Sequence, residues 1–271
     1  MAKVETIGFI GGGMMAGAIL DGMVHRMKKN PSEIFVSERM PKRCEELKSI
    51  YGVTAETTAE SFIGKVDAVL FAVKPQVLDS ALEEIAPHVK KDAVILSIVA
   101  GAPIARLEKA FPGHPIVRIM PNTPLSVGEG MSAYALNDAA KKAEVTIAAE
   151  IFSSCGKAVE LKESLMDAVT GLSGSGPAYA FLMIDALSDG GVMAGLTRDD
   201  ARLMAAQTLL GAAKMVIEKN QHPDVLRDAV TSPAGTTIAG VRVMEQQGVR
   251  GALIDAVMAA TERSAELGKA K

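Results

Sequence analysis

Ile7-Gly8-Phe9-Ile10-Gly11-Gly12-Gly13-Met14-Met15-Ala16 is the stretch whose reading decides the fold. A short apolar run stops at three consecutive glycines, and a helix-forming segment opens at Met14. The run matches G-x-G-x-x-(G/A) through Gly11, Gly13 and Ala16. Each of these positions has a physical task in a dinucleotide-binding turn. Gly11 allows the tight turn, Gly13 lets the backbone approach a pyrophosphate, and Ala16 lets the helix pack closely on the strand. The helix start presents free N–H groups and the positive end of its dipole to the anion. A glycine triplet alone also marks structural strand ends, so its context carries the weight.

That context is a repeating alternation. Working outward, Thr6–Ile10, Ile34–Ser37, Ala68–Ala72, Ala93–Ile98 and Pro115–Ile119 read as strands. Met14–Lys28, Pro41–Tyr51, Val77–His88 and Ile104–Ala110 read as the helices between them. The strands are apolar almost throughout, as buried parallel strands are. The pattern predicts a doubly wound parallel α/β sheet of the Rossmann type. Met131–Tyr134 and Ala158–Leu161 are candidate edge strands, with Ala139–Ser154 as a helix between. After about Glu163 the pattern becomes helical. Leu165–Leu172, Tyr179–Ala194, Arg198–Glu218 and Gly251–Leu267 are Ala- and Met-rich helix formers. The expected division is therefore 1–162, a dinucleotide-binding domain, and 163–271, an all-helical domain. Several of these helices are apolar on more than one face, which calls for a partner subunit.

The totals narrow the function classes. A formal net charge of -3 leaves no basic footprint for nucleic acid or an anionic membrane. The two cysteines, Cys44 and Cys155, form no metal-ligand spacing and fit a reducing cytoplasm. The opening Met1–Thr6 and the run to Ile10 are too short and too quickly broken by glycine for a signal peptide.

In such a sheet, ligands lie beyond the carboxyl ends of the strands. Val36-Ser37-Glu38-Arg39 ends the second strand. Glu38 favours NAD if it takes the ribose hydroxyls, whereas Ser37 and Arg39 favour NADP if they hold a 2′-phosphate; both readings stand. Ala72-Val73-Lys74-Pro75, Ala100 and Asn122 sit in the loops after later strands, where they would wall a nicotinamide. For Lys74, a solvated charge is an equal reading. In the helical half, Ser173–Tyr179 and Thr231–Thr237 each lead into a helix. The N–H groups after Gly235, with nearby hydroxyls, form a small anion cradle suited to a carboxylate. Ordinary capping by Ser232 or Thr236 explains the same residues equally well. His25, His88, His114 and His222 lie outside every motif and read as surface or structural residues.

Five motifs together resemble one family. G-x-G-x-M-A at Gly11–Ala16, A-V-K-P-Q at Ala72–Gln76, R-I-M-P-N-T-P at Arg118–Pro124, L-S-G-S-G-P-A-Y at Leu172–Tyr179 and S-P-A-G-T-T at Ser232–Thr237 are similar to those of pyrroline-5-carboxylate reductases. The likeness covers nearly the whole chain in order and spacing. It implies an N-terminal Rossmann domain, a helical dimerisation domain, a homodimer as the functional unit, and rings of dimers in some members. It further implies hydride transfer from NADPH, with NADH possible, to 1-pyrroline-5-carboxylate, giving L-proline in the last step of its biosynthesis. By this resemblance Gly11, Gly13, Met14, Met15, Ser37, Arg39, Ala72, Val73, Lys74, Pro75, Ala100 and Asn122 hold the coenzyme. Val230, Ser232, Gly235, Thr236 and Thr237 hold the substrate, with Thr237 beside the ring nitrogen as the catalytic residue. Two departures stand out. Glu38 occupies a place where members often carry a neutral residue, and Ala234 one where glycine is commoner. A β-hydroxyacid dehydrogenase with Lys214 as its acid is the alternative enzyme, and a coenzyme-sensing protein without turnover is the alternative of another class.

Overall fold

The computed structural model describes residues 4–269; Met1–Lys3, part of the opening read for a leader, lie outside the described residues. Eight strands form one sheet: β1 (Ile7–Ile10), β2 (Ile34–Ser37), β3 (Thr54–Glu56), β4 (Ala68–Phe71), β5 (Val94–Ser97), β6 (Ile116–Met120), β7 (Gly130–Leu136) and β8 (Gly156–Glu160). Their order is β3-β2-β1-β4-β5-β6-β7-β8. β1 to β6 run parallel, β7 runs antiparallel to β6, and β8 is parallel to β7. The order reverses at β1, which lies between β2 and β4, so the crevice beyond its carboxyl end is the topological switch point.

Strand chemistry explains this sheet. Successive residues of a strand face opposite ways. Ile7, Phe9, Ala68, Leu70, Val94 and Leu96 enter one core cluster. Ile10, Val69, Phe71 and Ile95 enter another. Both faces are thus covered, which is why these strands read as continuous apolar runs. Each fully buried side chain such as Phe71 contributes roughly 1.5–3 kcal/mol of transfer free energy.

In chain order the helices are α1 (Met14–Asp21), α2 (Pro41–Tyr51), α3 (Leu78–Ile85), α4 (Ile104–Ala110), α5 (Asp138–Lys142), α6 (Ile147–Ser153), α7 (Met166–Val169), α8 (Gly176–Met193), α9 (Arg198–Lys219), α10 (Pro223–Ala229), α11 (Thr236–Gln246) and α12 (Val249–Lys269). Several expected helices are shorter than the periodicity predicts, among them Val77–His88, which reduces to α3, and Leu165–Leu172, which reduces to α7; two others break at identifiable residues. The helix expected over Met14–Lys28 passes into a π-helical turn at Gly22–Arg26, and Lys28 has φ 59°. The one expected over Ala139–Ser154 divides into α5 and α6 around Glu144, whose φ is 49°. Residues outside the right-handed region cannot continue a helix.

By contacts the chain separates into two compact units, Met1–Gly174 with Ala260–Lys271, and Ser175–Ala259. This division falls later than 162/163 because Met166 of α7 is buried in the second core cluster of the first unit. Within the second unit, small residues let α8 and α9 approach closely: a Cβ on Gly191 would lie 3.0 Å from that of Ala201. Among the described residues, no helix is long and apolar enough to cross a membrane.

Candidate active site

The registers bring the glycine turn to its neighbours. Ile10 pairs with Ser37 on one side and Phe71 on the other, so Gly11 stands beside the ends of β2 and β4. Its N–H donates to the Ser37 carbonyl at 2.8 Å, and its φ is +100°. That conformation suits glycine, and a Cβ would in any case lie 2.7 Å from the Ala72 carbonyl oxygen. Gly13 differs. It is the N-cap of α1, no side chain caps that helix, and among the described residues nothing beyond its immediate chain neighbours lies within 4 Å of where its Cβ would be. The opening of α1 therefore has an empty approach with uncapped N–H groups, which fits the pyrophosphate of a dinucleotide.

Glu38 follows directly on β2 and is half-buried. Its carboxylate accepts from the Gly12 N–H at 2.9 Å and from the Met40 N–H at 3.0 Å. Arg43 braces the same turn by donating to the Gly12 carbonyl at 2.8 Å. Cys44 donates its thiol to the Glu38 carbonyl at 3.1 Å. Burial and then the negative Glu38 push that thiol's pKa up. Arg39 is exposed, its guanidinium 4.0 Å from Glu84.

A cleft of about 290 Å³ opens here. Among the expected coenzyme residues, Gly11, Gly13, Ser37, Arg39, Ala72, Val73 and Lys74 line it. Glu38, Thr57 and Glu84 line it too. Thr57 was invisible to the sequence reading because β3, which delivers it, is only three residues long. The remaining expected residues lie elsewhere. Met14 is exposed at the helix start, while Met15 packs on the core. Pro75 opens a short 3₁₀ turn ahead of α3, and Ala100 is exposed beyond β5. Asn122 is buried: its amide donates to the Ser173 carbonyl at 3.0 Å and accepts from the Met131 N–H at 2.9 Å. Its side chain thus ties the loop after β6 to β7 and to the Ser173 turn.

The expected substrate residues gather at the start of α11, in the second unit. Gly235 is the N-cap, and no side chain caps this helix. Neither Ser232 nor Thr236 serves as the cap the alternative reading required. Gly235 donates to the Ser232 carbonyl at 3.1 Å, and a Cβ there would lie 2.3 Å from Ser232 Oγ, which would have to rotate away. Ala234 holds φ 55°, a conformation in which glycine is at ease. Thr237 is half-buried in the first turn, and Val230 is exposed after α10. The chemistry on offer is a set of uncapped N–H groups with threonine hydroxyls beside them, suited to a small carboxylate.

Most of the other candidates have structural partners. His222 caps α10, accepting from the Asp224 N–H at 3.3 Å. His114 contacts the Lys90 carbonyl at 3.2 Å and meets Phe111 edge-on. His25 lies 3.9 Å from Asp21, and His88 is exposed; among the described residues, no histidine lines the cleft. Lys214 is exposed on α9 with Glu218 at 3.5 Å. Among the described residues, no group of three or more His, Cys, Asp and Glu is placed to hold a metal ion.

Fold and cleft together define a dinucleotide-binding protein of the Rossmann class. A family profile for pyrroline-5-carboxylate reductase dimerisation matches residues 163–267, and one described as NADP oxidoreductase, coenzyme F420-dependent, matches residues 6–101. A pyrroline-5-carboxylate reductase of Synechocystis is 49% identical over 263 residues, 97% of this chain and 98% of the relative. The structure of a pyrroline-5-carboxylate reductase from Coxiella burnetii matches with a TM-score of 0.91 at 34% identity, covering 98% of this chain and 99% of that one. Plasmodium falciparum pyrroline carboxylate reductase, solved with NADP bound, matches with a TM-score of 0.87 at 32% identity, covering 99% of both chains. The chain belongs to the pyrroline-5-carboxylate reductase family.

Proposed function

We propose that this protein reduces 1-pyrroline-5-carboxylate to L-proline, the last step of proline biosynthesis, with NADPH or NADH as donor. The observation that carries the reading is the start of α11, where Gly235 is the N-cap and no side chain caps the helix, which leaves first-turn N–H groups for an anion such as a carboxylate. Family membership supplies the substrate that such a cradle would hold. The NADP in the Plasmodium falciparum relative supports NADPH as a ligand of the cleft. These supports favour the reductase over a hydroxyacid dehydrogenase, which would place its acid at Lys214, and over a sensor without turnover.

The bound coenzyme supplies a hydride to the imine carbon. The chain's own residues bind and orient. The N–H groups after Gly235 hold the substrate carboxylate, with Ser232 and Thr236 closing the cradle. Thr237 hydrogen-bonds the ring nitrogen and the Val230 carbonyl accepts from its proton. An imine is basic enough to carry its own proton, so orientation and desolvation are the main tasks. A threonine hydroxyl is too weak an acid to act chiefly as a donor. In the coenzyme domain the α1 N–H groups at Gly13–Met15 take the pyrophosphate, and Ala72–Pro75, Ala100 and the Asn122-braced loop wall the nicotinamide.

The functional division is 1–162 for the coenzyme and 163–271 for the substrate and dimer. Phe181, Leu182, Leu203, Leu210 and Ile217 are exposed in the single chain. Such apolar helix surface is covered when two copies pair through their helical domains, and dimers in turn assemble into a larger ring. Two buried free thiols, Cys44 and Cys155, fit the reducing cytoplasm. The test is oxidation of NADPH, and separately of NADH, by 1-pyrroline-5-carboxylate, with proline identified as product. Coenzyme that binds but is never oxidised by the imine would refute the reductase reading.

A further inference from the structure

The end of β2 presents two opposite charges to the cleft, and they are held very differently. The Glu38 carboxylate is fixed by two backbone donors, Gly12 at 2.9 Å and Met40 at 3.0 Å. The Gly12 bond ties it to the glycine turn itself. Its stem is also confined, because a Cβ on Gly12 would lie 3.0 Å from that of Glu38. Arg39, by contrast, extends into solvent with its side chain 74% exposed. Among the described residues, the carboxylate of Glu84 on α3 stands 4.0 Å from it.

We infer that Glu38 sets coenzyme choice in this chain, disfavouring the 2′-phosphate so that NADH binds at least as tightly as NADPH. The inference rests on reading the cleft as a nicotinamide coenzyme site. In a Rossmann fold the residue after the second strand meets the adenosine ribose, where a carboxylate accepts from the hydroxyls and a 2′-phosphate needs a cation. Here the anion is preorganised and the cation is not. Moving Glu38 aside for a phosphate breaks both backbone bonds and strips the Gly12 N–H of its acceptor. Leaving it in place sets two anions side by side. Either way the structure discriminates against the phosphorylated coenzyme by a built-in repulsive element. Arg39 lowers that penalty by swinging toward the phosphate, but it must be ordered to do so.

The test is equilibrium binding without imine, following coenzyme fluorescence for NADH and NADPH. Calorimetry with ADP-ribose and its 2′-phosphorylated counterpart isolates the adenosine end. Wild type is compared with Glu38→Ser and with Glu38→Gln, which retains an oxygen acceptor for Gly12; thermal unfolding checks that each variant is folded. Both substitutions should shift the ratio of the two dissociation constants toward NADPH, by roughly ten- to a hundredfold for Glu38→Ser, the scale of a charge-assisted contact. The fragments should show the same shift. A variant ratio unchanged within about twofold, or a wild type that binds NADPH more than about twofold tighter than NADH, would overturn the inference. In that event continued imine reduction would leave the proposed function standing. A folded wild type that binds neither coenzyme would remove both.

Discussion

Gly11 and Ala72 stand so close that a Cβ on the glycine would lie 2.7 Å from the alanine's carbonyl oxygen. The contact is backbone against side chain, so no flexible group can yield. It joins the first loop of the sheet to the loop after β4, across the switch point. Gly11 also holds φ +100°, which adds its own penalty for any other residue. Gly11→Ala is therefore expected to cost about 2–4 kcal/mol of stability, combining left-handed strain with overpacking. Coenzyme binding should fall by more than stability alone explains, because the displaced β4 loop walls the same cleft. Urea unfolding and a coenzyme titration on the fraction still folded measure the two effects separately.

Thr237 offers a sharper test of the chemistry. Thr237→Ala should lower turnover by roughly ten- to a hundredfold, the size of one lost hydrogen bond to a charged group. Thr237→Ser keeps the hydroxyl and should recover most of the rate. The dissociation constant for coenzyme should not move in either variant. Steady-state kinetics showing full activity in Thr237→Ala would remove this residue from the reaction.

Gly235 separates cradle shape from hydroxyl chemistry. A Cβ there meets Ser232 Oγ at 2.3 Å and the Ser232 carbonyl oxygen at 3.1 Å, so Gly235→Ala must turn the Ser232 hydroxyl away and ease the loop slightly. We expect the KM for the imine to rise about tenfold or more, with kcat less affected, because binding of a remote carboxylate is what is lost. A change in kcat alone would point to a different use of the loop.

What could be read from sequence followed from how local each determinant is. The glycine turn, the apolar strands and α2 between Pro41 and Tyr51 are specified by neighbours a few residues apart. β3 escaped because Thr54-Ala55-Glu56 buries only Ala55 and leaves its polar neighbours half-buried at a sheet edge, so there is no apolar run. The break at Glu144 escaped because it depends on one positive φ within a uniformly helix-forming stretch. α10 went unassigned, although His222 before Pro223 is a legible start once the imidazole is recognised as a cap. The site shows the same division. The cleft-lining loops after β1 and β4 carry motifs, whereas Thr57 after β3 carries none. That Asn122 spends its amide on Ser173 and Met131, and Glu38 its carboxylate on Gly12 and Met40, are facts of long-range geometry.

The two thiols should be inert in the folded protein. Cys155 is fully buried against Gly22, where a Cβ would lie 2.2 Å from its sulfur, and Cys44 is nearly so. Burial raises the pKa of both, so little thiolate forms at neutral pH. An aromatic disulfide reagent should label neither thiol over the minutes in which it labels both in urea, a rate difference of about a hundredfold or more. Fast labelling of the native protein would place one sulfur at the surface.

Asp67 predicts how stability responds to acid. Its carboxylate accepts from the Glu5 and Thr6 N–H groups at 3.1 and 3.0 Å, from the Thr6 hydroxyl at 2.9 Å, and pairs with Lys90 at 2.9 Å. Burial by itself would raise its pKa, but Lys90 and these donors together outweigh it and hold the group at about 2. An unfolded aspartate titrates near ~3.9. Between these values the unfolded chain binds more protons than the folded one, so stability falls as pH falls. The contribution is complete above about pH 5 and lost as pH drops toward 2; the shift corresponds to about 1–2 kcal/mol after allowing for partial solvent contact. Asp67→Asn should therefore be less stable than wild type at neutral pH, with the gap closing on acidification. Urea midpoints measured from pH 6 to pH 2.5 test this directly, since a gap that stays constant would mean Asp67 contributes packing and neutral hydrogen bonds rather than its charge.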